Sequence, residues 1–476
     1  MNKKTILLLI TIVALASFFR LYQLDSLPPG LYPDEAMNGN NALEALRSSD
    51  YKVFYPENNG REGFFINIQS FFLWLAGANE PWALRLPSAI FGILTVIAIF
   101  FLAKELGYNK RIALFASFLL ATSFWHINFS RIGFRAIMAP FFLTLGLYLL
   151  LKSFNQNSKS EIKSWLTPIL AGAVYGLGFH SYIAYRATPA LILLIFVYYY
   201  LEAKKKRALK LFWKNAILFS ITSLVIAAPL ILYFIGAPED FFGRTSQISI
   251  FNSKSPLKDL GTNIFKTAGM FNFSGDYNWR HNFAGKPQLF WPVGLLFIIG
   301  LLKSLSIKPA NIFLLSFIAV TALPVIISNE GIPHALRALL MVIPVIILAA
   351  KGGAVLFSGG KVLNLFTVIF LIWLIYQAYA TYFIKWGENQ NVADAFSQNY
   401  VELGRSVNSL PKEMNKYLIV SAGGVEIRGV PMPAQTVMFI TDTFSEAQQK
   451  EKNVFYLLPE EWGKTRISDG FVTFIQ

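Results

Sequence analysis

The stretch at 5–24 reads TILLLITIVALASFFRLYQL, and it is followed at 28–36 by PPGLYPDEA. A helix of about 20 apolar residues crosses the roughly 30 Å of hydrocarbon in a bilayer. The first stretch is therefore predicted to span a membrane. The second stretch combines a rigid proline turn with two adjacent carboxylates, Asp34 and Glu35. An acidic loop thus follows the first predicted membrane helix directly.

The composition extends this interpretation to most of the chain. Of the 476 residues, 54% are hydrophobic and 14% are charged, whereas soluble domains average about 45–50% and about 25%. Apolar stretches run near 5–24, 86–103, 112–129, 134–151, 165–182, 187–201, 212–235, 289–302, 310–327, 336–350 and 362–384. A cytosolic enzyme, a disordered chain and a fibrous repeat are disfavoured. We predict an all-α polytopic membrane protein with about 11 transmembrane helices.

Charge and cysteine content narrow the function classes further. The chain contains no cysteine, which excludes disulfides, thiolate zinc sites and cysteine nucleophiles. Its formal net charge is +15, from 42 Lys and Arg against 27 Asp and Glu. In a soluble protein this excess would indicate nucleic acid, but in a membrane protein the placement of the cations decides. We expect membrane lipids as partners and no nucleic acid.

The cations also predict the orientation of the chain. The apolar segment 63–78 (GFFINIQSFFLWLAGA) is short and contains Asn67 and Gln69. If it lies on the membrane surface or re-enters, and the N-terminus is cytoplasmic, the KKKR run at 204–207 faces the cytoplasm, as the positive-inside rule requires. If it crosses, that run faces outward. We therefore predict a multi-pass protein of the cytoplasmic membrane with a cytoplasmic N-terminus and an extracytoplasmic C-terminus.

The first 24 residues also fit a cleaved signal peptide, but their apolar run is long enough to favour an uncleaved helix.

The predicted domain organisation follows from the spans. Residues 1–385 form a transmembrane domain with a first outer loop at 25–84 and a large outer loop at 236–288. Residues 386–476 form a small extracytoplasmic α/β domain. In this domain the pattern predicts a helix at 391–410 and strands at 417–421, 437–440, 454–458 and 471–475.

The polar residues of the predicted outer side suggest a site for an anionic lipid. Asp34 either caps a helix or acts as a base, and the two roles are compatible. Cations recur at outer helix ends and in outer loops, where the positive-inside rule predicts few: Arg131, Arg135, Arg186, Arg280 with His281, and His334 with Arg337. Each could contact phospholipid headgroups. Together with an acidic pair they favour a phosphate site, because the guanidinium fork suits phosphate.

This inventory of residues fits one type of reaction. A sugar on a lipid phosphate has a good leaving group, so its transfer needs a base for the attacking group and cations for the departing phosphate. A hydrolytic glycosidase would instead need two carboxylates flanking the sugar. Adjacent residues such as Asp34 and Glu35 do not flank a substrate easily.

Several short motifs resemble the GT-C glycosyltransferases that use polyprenyl-phosphate sugars, of the protein O-mannosyltransferase and aminoarabinose transferase type. They cover roughly 1–385: YPDEA at 32–36, GREGFF at 60–65, RLPSA at 85–89, SRIGFR at 130–135, YIAYR at 182–186, RHN at 280–282 and PHALR at 333–337. Each motif is short, and their order and outer placement make the resemblance specific. Many members of this family carry an acidic residue in the second outer loop, where this chain has Ala136 after Arg135. The role of that family carboxylate is therefore not assigned to any residue of the second outer loop in this chain.

The resemblance implies a function and a set of site residues. It implies a hexosyl- or pentosyltransferase that moves a sugar from a polyprenyl-phosphate donor to a lipid, glycan or protein acceptor on the extracytoplasmic side, with inversion. Asp34 would be the base, and Glu35 would support it. The predicted substrate-binding residues are Glu57, Arg61, Glu62, Arg131, Arg135, His180, Tyr182, Arg186, Arg280, His281, His334 and Arg337.

The sequence also bears on a metal site and on two other functions. His180, His281 and His334, with Glu57 and Glu62, could assemble a divalent metal site, but their spacings fit no recognised ligand pattern. We predict no obligatory cofactor or metal. A transporter or flippase of a lipid-linked glycan would show ionisable residues near helix midpoints and two matching halves, and the sequence shows neither. An assembly scaffold stays open as a further alternative.

Cysteine labelling tests the predicted topology, because the chain has no native cysteine. A membrane-impermeant thiol reagent added from outside should label Ser48→Cys and Ser397→Cys. It should not label Ala203→Cys, which the topology puts on the cytoplasmic side. Protection of Ser397→Cys would reverse the placement of the C-terminus and make 63–78 a membrane span.

Overall fold

The computed structural model describes residues 2–155, 161–357, 359, 361–463 and 470–476. Two compact units make up the chain. The first, called the helical unit below, comprises Met1–Tyr22, Ser88–Ser130 and Arg135–Tyr382. The second, called the mixed unit, comprises Gln23–Pro87, Arg131–Phe134 and Phe383–Gln476. The predicted domain division at 385–386 stays a prediction, whereas the mixed unit groups the first outer loop with the C-terminal region.

Helices dominate the described residues. They are α1 Lys3–Leu21, α2 Pro33–Ser48, α3 Gly63–Ala76, α4 Pro81–Glu105, α5 Lys110–Thr122, α6 Phe124–Phe129, α7 Met138–Asn155, α8 Glu161–Gly178, α9 Pro189–Lys205, α10 Leu209–Gly236, α11 Pro238–Gln247, α12 Pro256–Gly269, α13 Trp291–Leu302, α14 Pro309–Ile326, α15 Val342–Gly352, α16 Lys361–Tyr379, α17 Gln390–Ala395, α18 Gln398–Ser409, α19 Ala434–Thr441, α20 Glu446–Lys452 and α21 Pro459–Trp462.

The strands are short and lie outside the long helices. They are β1 Phe54–Tyr55, β2 Arg61–Glu62, β3 Lys416–Val420, β4 Glu426–Ile427, β5 Val430–Pro431, β6 Val454–Leu457 and β7 Phe471–Ile475. Among the short 3₁₀ segments of the described residues are Arg135–Ile137 before α7, Ile183–Ala187 before α9 and Leu339–Met341 before α15.

Eight helices of the described residues are long and apolar enough to cross a membrane. They are Lys3–Leu21, Pro81–Glu105, Arg135–Asn155, Ile183–Lys205, Leu209–Gly236, Pro309–Ile326, Leu339–Phe357 and Val362–Trp386. Three shorter apolar helices are Gly63–Ala76, Trp165–Gly178 and Trp291–Leu302. The prediction of a helical polytopic membrane protein with a small C-terminal sheet is confirmed. At 1.5 Å per residue the 14 residues of α3 extend only about 21 Å, which is shorter than the hydrocarbon layer.

Arg20 explains why the predicted span at 112–129 is divided into α5 and α6. The last carbonyls of a helix have no partner within it, and they form the negative end of its dipole. The fully buried Arg20 guanidinium donates to two such carbonyls of α5, those of Leu120 and Ala121, both at 3.2 Å. It also lies 2.7 Å from Nδ1 of His126 on α6. Arg20 therefore attaches α1 to the break between α5 and α6.

Small residues allow close helix packing elsewhere in the helical unit. A Cβ atom on Gly300 of α13 would collide with the carbonyl oxygen of Leu348, and one on Gly352 of α15 would collide with that of Leu296. Lipid supplies no hydrophobic drive for helices to associate, so backbones that approach closely gain van der Waals contact instead. Gly300 and Gly352 thus permit the contact between α13 and α15.

In the mixed unit, the C-terminal residues form a parallel three-stranded sheet in the order β6-β3-β7. The strands predicted at 417–421, 454–458 and 471–475 correspond to β3, β6 and β7. The strand predicted at 437–440 is wrong, because these residues belong to α19. All eight residues of α19 are buried, and a short apolar run that is buried on every side does not distinguish a strand from a helix. The predicted helix at 391–410 is divided into α17 and α18 at Ser397, whose φ is 53°.

The first loop and the C-terminal residues share two hydrophobic clusters within the mixed unit. Met37 of α2 packs in the cluster that contains Leu418 and Ile475 of the sheet. Ala36 and Ala42, on the same helix, pack in a second cluster with Phe439 of α19. Burial of apolar surface from segments so distant in the sequence accounts for the single compact unit.

Ion pairs reinforce this association of α2 with the C-terminal residues. Arg428 donates from Nη1 and Nη2 to the two oxygens of Glu44 at 2.8 and 2.9 Å, and from Nε to Glu57 at 2.8 Å. Arg47 donates to both oxygens of Asp442 at 2.6 and 2.7 Å. The Arg428 guanidinium holds the pKa of Glu44 below its usual value of 4.5.

Gly39 tests the packing of α2 on α19. Its Cβ atom would lie 2.5 Å from the buried ring of Phe439 and 2.8 Å from Leu84. Gly39→Ala should therefore lower the free energy of unfolding by about 1–3 kcal/mol, the usual cost of overpacking a core. Thermal unfolding of the purified protein in detergent measures the effect. Gly243→Ala on α11 is the control, because its Cβ atom has nothing within 4 Å. Equal stability of the two variants would contradict the packing.

The Glu44–Arg428 pair should make the stability of the mixed unit depend on pH. Because the pKa of Glu44 is lowered in the folded protein, the pair stabilises the fold above pH 4.5 and loses its effect as the pH falls below that value. The pair is partly exposed, so solvent screening keeps the contribution small. Glu44→Gln should flatten the acid limb of a plot of melting temperature against pH, whereas Glu451→Gln on the exposed face of α20 should not. Identical acid limbs in all three proteins would exclude a contribution from this pair.

Candidate functional site

Asp34 lies in the first turn of α2, in the mixed unit. The helix begins at Pro33, whose fixed φ suits the first helical position, and its N-cap residue is Tyr32. Of the two roles considered for Asp34, that of N-cap is therefore excluded. Glu35 takes part in the cap instead, since its Oε2 accepts from the Tyr32 amide at 3.4 Å. The half-buried Asp34 accepts at Oδ1 from the Asn58 side-chain amide at 2.7 Å.

Glu35 is fully buried and fully engaged by donors. Its Oε1 accepts from Nε of Arg85 at 3.0 Å and from the Gly133 amide at 2.7 Å, and its Oε2 accepts from Nη2 of Arg85 at 3.3 Å. Arg85 also donates to the carbonyls of Pro28 and Gly30 at 2.7 and 2.8 Å. This ion pair joins the proline turn, the start of α2, the start of α4 and the 131–134 segment.

A second polar cluster of the mixed unit surrounds Arg61. Its Nη1 donates to Asn38 at 2.7 Å and its Nη2 to Asn41 at 2.5 Å. Asn38 in turn donates to the Gly133 carbonyl at 3.2 Å, and Asn41 donates to Glu57 at 3.1 Å. The structure thus brings Arg61 and Glu57 together through asparagines of α2.

Two further predicted site residues of the mixed unit are buried. Glu62 is 2% exposed and lies on β2, paired with Phe54 of β1. Arg131 is fully buried; it donates to the carbonyls of Gln23 and Leu27 at 2.9 and 3.0 Å, and its guanidinium lies 5.1 Å from the ring centre of Phe383. Arg131 therefore holds the 131–134 segment against other parts of the mixed unit.

Three predicted arginines of the helical unit lie at starts of membrane-length helices. Arg135 opens the 3₁₀ turn before α7, and its guanidinium lies 5.9 Å from the ring centre of Tyr182. Arg186 lies in the turn before α9; it donates to the Phe241 carbonyl at 2.8 Å and lies 4.3 Å from the centre of the Phe241 ring. Arg337 precedes α15 and donates to Glu330 at 2.7 Å. Helix starts carry the positive end of the dipole, so cation and dipole act together on an anion here.

The remaining predicted residues of the helical unit are three histidines and Arg280, and only two of the histidines lie together. His281 and His334 lie beside Asp276, with ring centres 4.9 Å apart. Burial lowers the pKa of His334 well below its usual value of 6.5, with a smaller contribution from His281 and nearby arginines. His180 is engaged elsewhere, with Nε2 2.9 Å from the carbonyl of Ile226. The backbone carbonyl of Arg280 accepts from the Asn128 side chain at 2.7 Å.

Several residues that build these clusters were not predicted from the sequence. Arg85 belongs to the RLPSA motif at 85–89, but no sequence pattern indicates that it pairs with Glu35. Asn38, Asn58 and Asp276 lie in polar stretches without a recognisable motif. Their partners are distant in the chain, so the sequence does not indicate these contacts. The carboxylate beside His281 and His334 is that of Asp276, and not that of Glu57 or Glu62, the two acidic residues considered with these histidines from the sequence.

Comparison with known proteins places this architecture among characterised folds. The family model described as dolichyl-phosphate-mannose-protein mannosyltransferase matches residues 64–236. An uncharacterised protein from Aquifex aeolicus is 28% identical over 144 residues, which cover 29% of this chain and 28% of that protein. Neither match extends over half of the chain.

Solved structures resemble a much larger part of the chain. The archaeal oligosaccharyltransferase AglB from Archaeoglobus fulgidus, in complex with an inhibitory peptide and a dolichol-phosphate, matches 92% of this chain at 15% identity with a TM-score of 0.54. This chain covers 64% of AglB. ArnT from Cupriavidus metallidurans, bound to undecaprenyl phosphate, matches 98% at 14% identity with a TM-score of 0.54, and 91% of ArnT is covered. The mycobacterial arabinofuranosyltransferase AftD matches 92% at 12% identity with a TM-score of 0.51, and 31% of AftD is covered.

The fold of these solved structures is consistent with the long apolar helices of this chain. The chain is a multi-pass membrane protein. At such low sequence identity, the matches show a shared fold and do not show a shared activity. The motifs at 32–36 and 60–65, among others, had already indicated this resemblance. The chain therefore has the fold of the GT-C glycosyltransferases, and its residues 64–236 match the protein mannosyltransferase family model within that group.

Proposed function

We propose that this protein is a membrane glycosyltransferase that moves a sugar from a polyprenyl-phosphate donor to an acceptor on the extracytoplasmic side, with inversion at the anomeric carbon. One observation carries the proposal. On a GT-C fold, Asp34 stands half-buried in the first turn of α2, while its neighbour Glu35 is locked into a buried ion pair. One carboxylate is thus positioned by the other.

The reaction requires one base and no acid. An acceptor hydroxyl or amine attacks the anomeric carbon from the face opposite the phosphate. The bond from that carbon to the phosphate oxygen breaks, and the lipid phosphate leaves with the bonding electrons. The proton of the attacking group goes to Asp34. Attack from the opposite face inverts the configuration, and the phosphate leaves without protonation.

The surroundings of the two carboxylates support different roles. Asp34 accepts from a neutral amide, that of Asn58, which orients the carboxylate and leaves its negative charge available to a proton. Glu35 is neutralised by Arg85 and has no exposed surface. We therefore assign Asp34 as the base and Glu35 as a positioning residue that fixes the first turn of α2.

The donor phosphate is proposed to bind at helix starts of the helical unit. Arg135, Arg186 and Arg337 precede α7, α9 and α15, where the helix dipoles also favour an anion. Arg186 and Arg337 also have protein partners there, the Phe241 carbonyl and Glu330. Arg61 and Arg131 lie in the mixed unit, where they donate to asparagine oxygens and to backbone carbonyls. In this proposal they organise the mixed unit and do not contact the phosphate. Tyr182, whose ring lies beside Arg135, is proposed to pack against the sugar or the lipid.

Two solved structures of the same fold support the proposed class of donor. The AglB structure contains a dolichol-phosphate and the ArnT structure contains undecaprenyl phosphate. A polyprenyl phosphate is therefore the proposed carrier, and the acceptor is proposed to be a lipid, a glycan or a protein. The cation asymmetry supports a cytoplasmic membrane location with the C-terminus outside.

Asp34→Asn separates the proposed base from a structural role. Asn retains an oxygen that can accept from Asn58, and it loses only the charge near the helix start, which is worth about 0.3–1 kcal/mol. It cannot take the proton, so the transfer rate should fall about 10²–10⁴-fold. The measurement is in vitro transfer from radiolabelled polyprenyl-phosphate sugars, together with thermal unfolding of the same preparations.

Two controls make the result specific. Asp50→Asn removes an exposed carboxylate of the same loop and should keep wild-type activity. Glu35→Gln breaks the buried ion pair and should lower stability by about 3–5 kcal/mol, the usual cost of leaving one partner buried alone. Transfer by Asp34→Asn within about threefold of wild type would sink the assignment of the base.

A further inference from the structure

A compact group of ligand-type side chains lies in the helical unit, apart from the residues assigned above to catalysis and phosphate binding. Asp276 and His281 lie between α12 and α13, and His334 lies just before the turn that leads into α15. One ligand atom from each lies within 4.8 Å of the others. This is the one such group of three among the residues that the structure describes.

The distances suit one metal ion. The Oδ2 atom of Asp276 lies 3.2 Å from Nδ1 of His281 and 3.8 Å from Nδ1 of His334. Tetrahedral ligands about 2.0–2.1 Å from a zinc ion stand about 3.3 Å from one another. A small rotation of the His334 ring would therefore bring all three atoms into a common coordination sphere.

Hydrogen bonds hold the carboxylate in place for this role. Oδ1 of Asp276 accepts from the amide of Asn278 at 2.8 Å, and Oδ2 accepts from the amide of Ala335 at 2.8 Å. The side chain is almost fully buried. Outer contacts of this kind fix the orientation of metal ligands and raise their affinity.

A hydrogen-bonded cluster without a metal accounts less well for His334. Its Nδ1 atom is buried and has no hydrogen-bond partner among the described residues. A buried polar atom left unsatisfied usually costs about 1–3 kcal/mol. The distance of 3.8 Å to Asp276 is too long for a hydrogen bond. Oδ2 of Asp276 already has partners in the Ala335 amide and His281, so a cation at this position would satisfy the remaining atom, Nδ1 of His334.

We propose that Asp276, His281 and His334 bind a divalent zinc ion, with a fourth position open to water. Two imidazoles and one carboxylate suit zinc better than magnesium or calcium, which prefer oxygen ligands alone. The ion would connect the segment before α13 to the segment before α15. The proposal does not depend on the glycosyltransferase activity, since none of its observations involves Asp34.

Metal binding can be measured directly on the full chain purified without a histidine tag. The protein is stripped with a chelator, equilibrated with zinc and analysed by elemental mass spectrometry. Wild type should bind about one zinc per chain, the content expected of a single site. Titration with cobalt should give the intense visible bands of a tetrahedral or five-coordinate nitrogen and oxygen site. The chain contains only four histidines and no cysteine, so background binding is small.

Variants assign the site. His334→Ala and Asp276→Asn should weaken zinc binding by more than about tenfold, because losing even a supporting residue costs about 10–100-fold. The matched control is His180→Ala, which removes a histidine that contacts the Ile226 carbonyl and should bind zinc like wild type. Zinc should raise the melting temperature of wild type and of the control, but not of the two ligand variants.

The wild-type titration keeps the proposal open to refutation even if a variant fails to fold. Zinc content near zero in folded wild type, or cobalt spectra without the visible bands, would show a hydrogen-bonded cluster only. Undiminished zinc binding by folded His334→Ala would place the ion elsewhere. Either result overturns the proposed site and leaves the assignment of Asp34 untouched.

Discussion

The buried ion pair between Glu35 and Arg85 is the contact on which the mixed unit depends. Through it the first turn of α2, the start of α4 and the amide of Gly133 meet at one carboxylate. Arg85 extends the contact to two carbonyls of the proline turn. A buried pair adds little net stability over an apolar core, but removing one partner is costly. Its value here is geometric, since it fixes the first turn of α2, in which Asp34 lies.

Helix ends provide the second organising device, in the helical unit. Arg20 donates to free carbonyls where α5 stops, and Arg135, Arg186 and Arg337 stand where α7, α9 and α15 begin. An arginine at the C-terminal end of a helix and an arginine at the N-terminal end interact with the helix dipole in opposite ways. A cation at a helix end cancels the dipole and serves structure, whereas a cation at a helix start adds to the dipole and attracts an anion.

The sequence predicted what depends on local pattern. Apolar runs indicated the membrane helices, and the motif around Asp34 indicated the GT-C fold. The strand predicted at 437–440 failed because α19 is buried on all sides, which removes the periodicity that identifies a helix. The alternative role of Asp34 as N-cap is two residues from the N-cap of the structure, since Pro33 starts α2 after Tyr32. The pairing of Glu35 with Arg85, and of Asp276 with His334, joins distant segments that no local pattern connects.

The packing of α2 on α19 also bears on how the protein is made. Residues of α2 and of the first outer loop emerge early in synthesis, yet their apolar partners Phe439 and Ile440 emerge roughly four hundred residues later. During that interval α2 can pack with Ile66 and Leu73 of α3, but the part of its apolar face that meets α19 has no partner. Transiently exposed surface of this kind invites aggregation and engagement by chaperones. A ribosome stalled before α19 would therefore leave a membrane-inserted chain whose Asp34 segment is unfinished, so activity should arise only near the end of translation.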